Sequence, residues 1–187
     1  MKKIVNYFFE LGMLKRIFHN GPQAAGVKEP DTVASHVYRA AVIGYILGEM
    51  EGVKGEKVAS IILFHDNPEA RIGDHNKIAQ RYIKRAEVEQ EVLDDQTKLL
   101  PKSIGKKINK YWNDMEYGKT KEGIIAKDAD HLETALQAKE YADIGYPTKT
   151  WVANVKKALK TKSAKKLLTE LENTKFTDWW KDLKKIS

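Results

Sequence analysis

The stretch Thr32–Leu47, TVASHVYRAAVIGYIL, sets Val33, Val37, Ala40, Ala41, Ile43 and Leu47 at intervals of three and four residues. That spacing lines one face of an α-helix, whereas a half-buried strand would alternate apolar and polar residues. The same interval recurs on both sides. It is carried by Ile4, Phe8, Leu11, Leu14 and Phe18 before this stretch, and by Ile104, Ile108, Tyr111, Trp112 and Met115 after it. Ile124, Ile125, Leu132, Leu136 and Tyr141 form a further stripe, and a shorter one begins at Trp151, Val155, Ala158 and Leu159. No segment alternates long enough to suggest a paired strand. The pattern predicts an all-α, single-domain helical bundle over residues 1–187, a length suited to one domain.

Punctuation separates the helices. Gly21-Pro22 opens a predicted loop that runs to Pro30, with Asp31 or Thr32 placed to cap the next helix. Gly52 and Gly55 divide the Thr32–Leu47 helix from the apolar run Val58–Phe64, and Asn67-Pro68 closes that run, because proline disfavours helical geometry in the residue before it. Hydrophobic residues make up 42% of the chain, enough for a core that needs no metal or disulfide to fold. Cysteine is absent, which excludes thiol chemistry and thiolate sites and fits a reducing, cytoplasmic setting. The N-terminal MKKIVNYFFELGMLKR superficially resembles a secretion signal, but Asn6, Glu10 and Lys15 interrupt it, and no apolar run reaches membrane-spanning length. No membrane partner is expected. The net charge of +7 owes much to lysines between Lys156 and Lys166. They read as a solvated face, since no arginine-rich arm or aromatic–basic alternation accompanies them to suggest nucleic acid.

The chemistry lies where polar groups interrupt apolar runs. His65-Asp66 ends the run Val58–Phe64, His36 sits among Val33, Val37 and Ala40, and Asp130 sits among Ile125, Ala126, Ala129 and Leu132. Groups of this kind need partners once removed from water. Two imidazoles and two carboxylates from three segments would suit a divalent cation such as Mn, Fe, Co, Ni or Zn. Asp128 competes with Asp130, because the two point about 200° apart on a helix and periodicity does not choose between them. Read alone, Asp128 beside Lys127 is a solvated surface charge, and His75 is a loop histidine in solvent.

Three segments, TVASHVYRAAVIGYIL, LFHDNPEARIGD and KDADHLETALQAKEY, resemble the signature motifs of the HD-domain superfamily of metal-dependent phosphohydrolases. Within it they are most similar to the 5′-deoxynucleotidase family. The resemblance runs from about Leu14 to Tyr146 and leaves residues 147–187 as a C-terminal helical extension. It implies a helical bundle, a homodimer, and release of phosphate from deoxynucleoside 5′-monophosphates with a divalent metal. It makes His36, His65, Asp66 and Asp130 the metal ligands, which decides for Asp130 over Asp128. It matches Glu69 to the residue that handles the attacking water and Asp74 to one near the sugar and leaving oxygen, roles that are interchangeable at this level. Lys15, Arg16, His19 and Glu122 match substrate-contact positions.

The chain departs from that pattern at one place. His19-Asn20 stands where relatives carry an arginine that holds phosphate, and an imidazole lacks the two-pronged grip of a guanidinium. Two other readings compete with a 5′-nucleotidase. One is an HD-type pyrophosphohydrolase or phosphodiesterase acting on another nucleotide. The other is a basic interaction protein whose metal site is a structural staple.

Overall fold

A computed structural model of the chain describes residues 1–184, and every observed element within them is helical. The one pairing of extended backbone is an isolated bridge between Phe18 and Thr32. The elements are α1 (Lys2–Leu11), α2 (Asn20–Ala24), α3 (Val33–Met50), α4 (Gly55–Leu63), α5 (Glu69–Ile72), α6 (Arg85–Thr97), α7 (Lys102–Glu116), α8 (Lys121–Asp143), α9 (Lys149–Ala158) and α10 (Lys162–Asn173). Short 3₁₀ turns occupy Gly12–Lys15, Ala79–Arg81 and Asp178–Trp180.

The bundle is organised around α3, α4 and α8. Leu47, Val58, Ile61, Ile62, Ile125 and Ala129 are fully buried where these helices meet. Backbones come close enough between α3 and α4 that a Cβ on Gly48 would lie 2.9 Å from the Cα of Gly55. Glycine at that crossing is therefore a packing requirement. Thr32 starts α3 by a reciprocal cap: its hydroxyl accepts from the Ser35 N–H at 3.3 Å, and the Ser35 hydroxyl accepts from the Thr32 N–H at 3.0 Å. The cap satisfies end groups that the helix itself leaves unpaired and sets the register that turns His36 inward.

Several sequence expectations change in detail. The stripe from Ile4 to Phe18 is not one helix but α1 followed by a 3₁₀ turn at Gly12. The segment expected as a loop after Gly21-Pro22 contains the short helix α2, which proline tolerates in its first turn. The C-terminal extension belongs to the same core, since Val152, Val155 and Leu159 of α9 and Ala164 and Leu168 of α10 are buried with α8. Trp179 and Trp180, in contrast, are exposed. Asp128 is buried rather than solvated. Its carboxylate accepts from the Thr161 N–H and hydroxyl at 2.7 Å each and from the Lys160 N–H at 3.0 Å, tying the start of α10 to α8. Among the described residues no helix is long and apolar enough to cross a membrane.

Candidate active site

His65 and Asp66 lie in the tight turn between α4 and α5, just past the helix end that the sequence suggested. The turn is held from outside. Asn67 donates to the Tyr7 hydroxyl of α1 at 2.8 Å, and Gln96 of α6 donates to the Asn67 carbonyl at 2.9 Å. His36 comes from α3 and Asp130 from α8, so three separate parts of the chain meet.

The donor atoms converge. His36 Nε2 lies 3.2 Å from Asp130 Oδ1 and 3.7 Å from Asp66 Oδ2. His65 Nε2 lies 3.0 Å from Asp66 Oδ2 and 3.7 Å from Asp130 Oδ1. Donor atoms of His36, His65 and Asp66 all fall within 4.8 Å of one another. Both imidazoles are turned the same way: His36 Nδ1 donates to Glu133, and His65 Nδ1 donates to the Ile62 carbonyl at 2.7 Å. With Nδ1 committed outward, each Nε2 faces the cluster, the arrangement by which outer partners orient metal-binding histidines. Arg39 holds Glu133 in turn, its Nε donating to Glu133 Oε1 at 3.0 Å.

The cluster's electrostatics call for positive charge at its centre. Burial disfavours protonated imidazoles here, yet Asp66 and Asp130 outweigh it and lift the His65 pKa to about 9. His36 is likewise raised well above the usual imidazole range, by Asp130 and Glu133 against the effect of burial. Burial works to raise the Asp130 carboxyl, but the two histidines and Lys127 hold it well below the carboxylate norm. A nitrogen and oxygen donor set of this density fits a divalent cation.

The cluster opens into a cavity of about 520 Å³, within the range of small-molecule sites. Glu69 lines it, is 9% exposed, and its Oε2 has no hydrogen-bond partner among the described residues. Burial, reinforced by the charges of Asp66, Asp74 and Glu89, pushes the Glu69 carboxyl well above its ordinary range. Asp74 follows Gly73, whose φ of +74° favours glycine, and its Oδ2 accepts from the Asn20 N–H at 2.6 Å. His19 also lines the cavity, with its Nδ1 paired to Asp31 at 2.8 Å and its ring centroid 4.9 Å from that of His36.

The remaining sequence candidates are placed differently. Lys15 and Arg16 are exposed and do not line the cavity; Lys15 borders an apolar groove on another face, and Arg16 contacts Met13. Glu122, at the start of α8, pairs with Lys57 at 2.8 Å and also stays outside. The cations that do line the cavity are Lys77, Arg85 and Lys127, and Arg85 is engaged by Glu89 at 2.6 Å and Glu116 at 2.7 Å. His75 faces the cavity as well and is half-buried rather than a solvent histidine. Sequence reading missed Glu133, although its position three residues after Asp130 puts both on one helical face.

The HD domain family model matches residues 11–172. The chain belongs to the HD-domain family. It is 32% identical over 151 residues to the 5′-deoxynucleotidase HDDC2 of Dictyostelium discoideum, covering 75% of this chain and 78% of that protein. The human 5′-deoxynucleotidase HDDC2 is 27% identical over 146 residues, covering 76% of this chain and 70% of its own. A conserved hypothetical protein from Pyrococcus furiosus superposes with a TM-score of 0.77 at 27% identity, covering 91% of this chain and 99% of that one.

Glu133 provides a direct check on the geometry of this HD-domain site. Replacing an outer partner of a metal-binding histidine typically lowers metal affinity by about 10–100-fold. Glu133→Ala is expected to weaken Mn²⁺ binding by that factor in calorimetric titration while the fold is retained; unchanged affinity would separate Glu133 from the centre.

Proposed function

We propose that the protein is a metal-dependent phosphohydrolase that releases phosphate from deoxynucleoside 5′-monophosphates. The reading rests on the inward-facing Nε2 atoms of His36 and His65, which meet Asp66 and Asp130 at the wall of a cavity larger than a phosphate needs. The relatives named as 5′-deoxynucleotidases support the choice of substrate. His36, His65, Asp66 and Asp130 would hold a divalent cation (Mn, Co, Fe, Ni or Zn). Such a cation supplies Lewis acidity at a phosphate oxygen and offsets charge as the ester breaks.

The chain's own groups do the rest. Water adds to phosphorus, the bond to the 5′ oxygen breaks, and phosphate and a nucleoside result. Glu69 would take a proton from the attacking water, a role suited to a buried carboxylate that lines the cavity and whose Oε2 has no partner among the described residues. Asp74, anchored by the Asn20 N–H, would orient the sugar, and the proton taken up by Glu69 would pass through it to the leaving 5′ oxygen. Lys77, Lys127 and His19 would neutralise the phosphate from the cavity wall; of the substrate contacts expected from the sequence, His19 is the one that lines it. A cytoplasmic setting accords with the cysteine-free composition.

We also assign a second copy of this chain to the apolar groove between α1, α3 and α4. The groove measures about 700 Å³ and is lined by Tyr38, Val42, Tyr45, Ile46 and Leu63, all exposed. Contiguous apolar surface of this kind commonly marks an interface, and the family resemblance implies a homodimer. Light scattering should give a dimer mass that Ile46→Lys shifts toward the monomer; a monomeric wild-type protein would contradict the assignment.

For the chemistry, Mn²⁺-loaded protein should release phosphate from deoxynucleoside monophosphates, and chelation should abolish it. Glu69→Ala should lower kcat by about 100-fold or more with bound metal retained. Phosphate release by that variant at the wild-type rate would remove Glu69 from the mechanism. Silence of the wild-type protein across a nucleotide panel would overturn the function itself.

A further inference from the structure

The cavity that holds the charged cluster has a further, differently composed wall. It comes from α9, which contributes Trp151, Asn154, Val155 and Ala158. This helix follows the three motifs, within the span that the HD-domain model matches, and it lines the same pocket. Trp151 is half-buried and packed against the main core. The edge of its six-membered ring is so close to Gly21 that a Cβ there would stand 3.3 Å from Trp151 Cη2. Gly21 is two residues beyond His19, whose ring abuts His36, and two residues span at most about 7 Å. The indole is thus fixed from two sides, within a short reach of the catalytic cluster.

The lining is mixed in character. Carboxylates, imidazoles and lysines share it with an indole, aliphatic groups and the side-chain amides of Gln137 and Asn154. The Gln137 carbonyl accepts from Arg39 Nη2 at 3.0 Å, which orients the amide and leaves its N–H donors without an acceptor among the described residues. Asn154 is exposed and makes no side-chain hydrogen bond among the described residues. A ligand complementary to such a lining carries both an anionic group and a flat, neutral, aromatic one.

We propose that α9 forms a nucleobase subsite in which Trp151 stacks on the base of the substrate, with Asn154 and Gln137 meeting its polar edge. This rests on the nucleotide reading given above and extends it to the part of the molecule that discriminates nucleotides from simpler phosphate esters. Stacking on an indole accepts any base, because every base presents a π face. An amide offers both donor and acceptor. The subsite therefore demands a base without selecting one.

The test compares kcat/KM for thymidine 5′-monophosphate with that for 2-deoxyribose 5-phosphate, which lacks a base, in the metal-loaded wild-type protein and in Trp151→Leu and Trp151→Phe. The ratio of the two should fall about tenfold or more in Trp151→Leu and be largely restored in Trp151→Phe. A parallel measurement avoids any folding defect. In ¹⁵N-labelled wild-type protein, the Trp151 indole resonance should shift on adding thymidine 5′-monophosphate and stay in place with 2-deoxyribose 5-phosphate. An unchanged ratio in folded Trp151→Leu, or an indole resonance indifferent to the nucleotide, would overturn the subsite while leaving the phosphohydrolase intact. A wild-type protein that hydrolyses no nucleotide would instead overturn the reading on which the subsite rests.

Discussion

Two hydrogen bonds on the outer edges of two imidazoles organise this molecule's chemistry. Glu133 accepts a hydrogen bond from His36 Nδ1–H, and the Ile62 carbonyl accepts one from His65 Nδ1–H. Each bond fixes a tautomer and a ring orientation, and together they aim both Nε2 atoms at Asp66 and Asp130. A carboxylate pair buried with neutral imidazoles would be costly unless positive charge were placed among them. The raised histidines and the depressed Asp130 carboxyl express the same demand. Most of the bundle can be understood as the frame that keeps these four groups together.

That frame reaches the cluster from every side. The reciprocal cap at Thr32 and Ser35 sets the start of α3, and with it the depth of His36. Tyr7 and Gln96 hold Asn67, so α1 and α6 secure the turn from outside. Arg71 adds to this corner by binding Glu10 at 2.6 Å, and Glu10 also accepts from Gln96 at 2.8 Å. On the opposite side Asp128 ties α10 to α8. Asp128 and Asp130 are two residues apart on one helix and serve opposite faces, one structural and one chemical.

The helical class and the candidacy of His36, His65 and Asp66 were legible in the sequence because both depend on short-range pattern, whereas Asp130 was separated from Asp128 by the family resemblance alone. Apolar spacing in TVASHVYRAAVIGYIL marks the helix, and a histidine inside that stripe must be accounted for wherever the helix packs. What was not legible depends on which direction an exposed or loop residue takes. Lys15 and Arg16 follow a helix that ends at Leu11, and the 3₁₀ turn at Gly12 carries them outside the cavity. Periodicity carries no information about such a turn. Asp128 reads as a surface charge beside Lys127 because its partners, Lys160 and Thr161, lie more than thirty residues later. Trp151 has the spacing of a core residue and is one in part; its second role at the cavity wall emerges only once Gly21 is placed against it.

The account comes down to whether His36, His65, Asp66 and Asp130 share one cation. Anomalous diffraction from crystals grown with Mn²⁺ measures this directly. A single strong peak bounded by both Nε2 atoms and by the Asp66 and Asp130 carboxylates is the predicted result. Absence of a peak there, or a peak that engages Asp128 in place of Asp130, would contradict it.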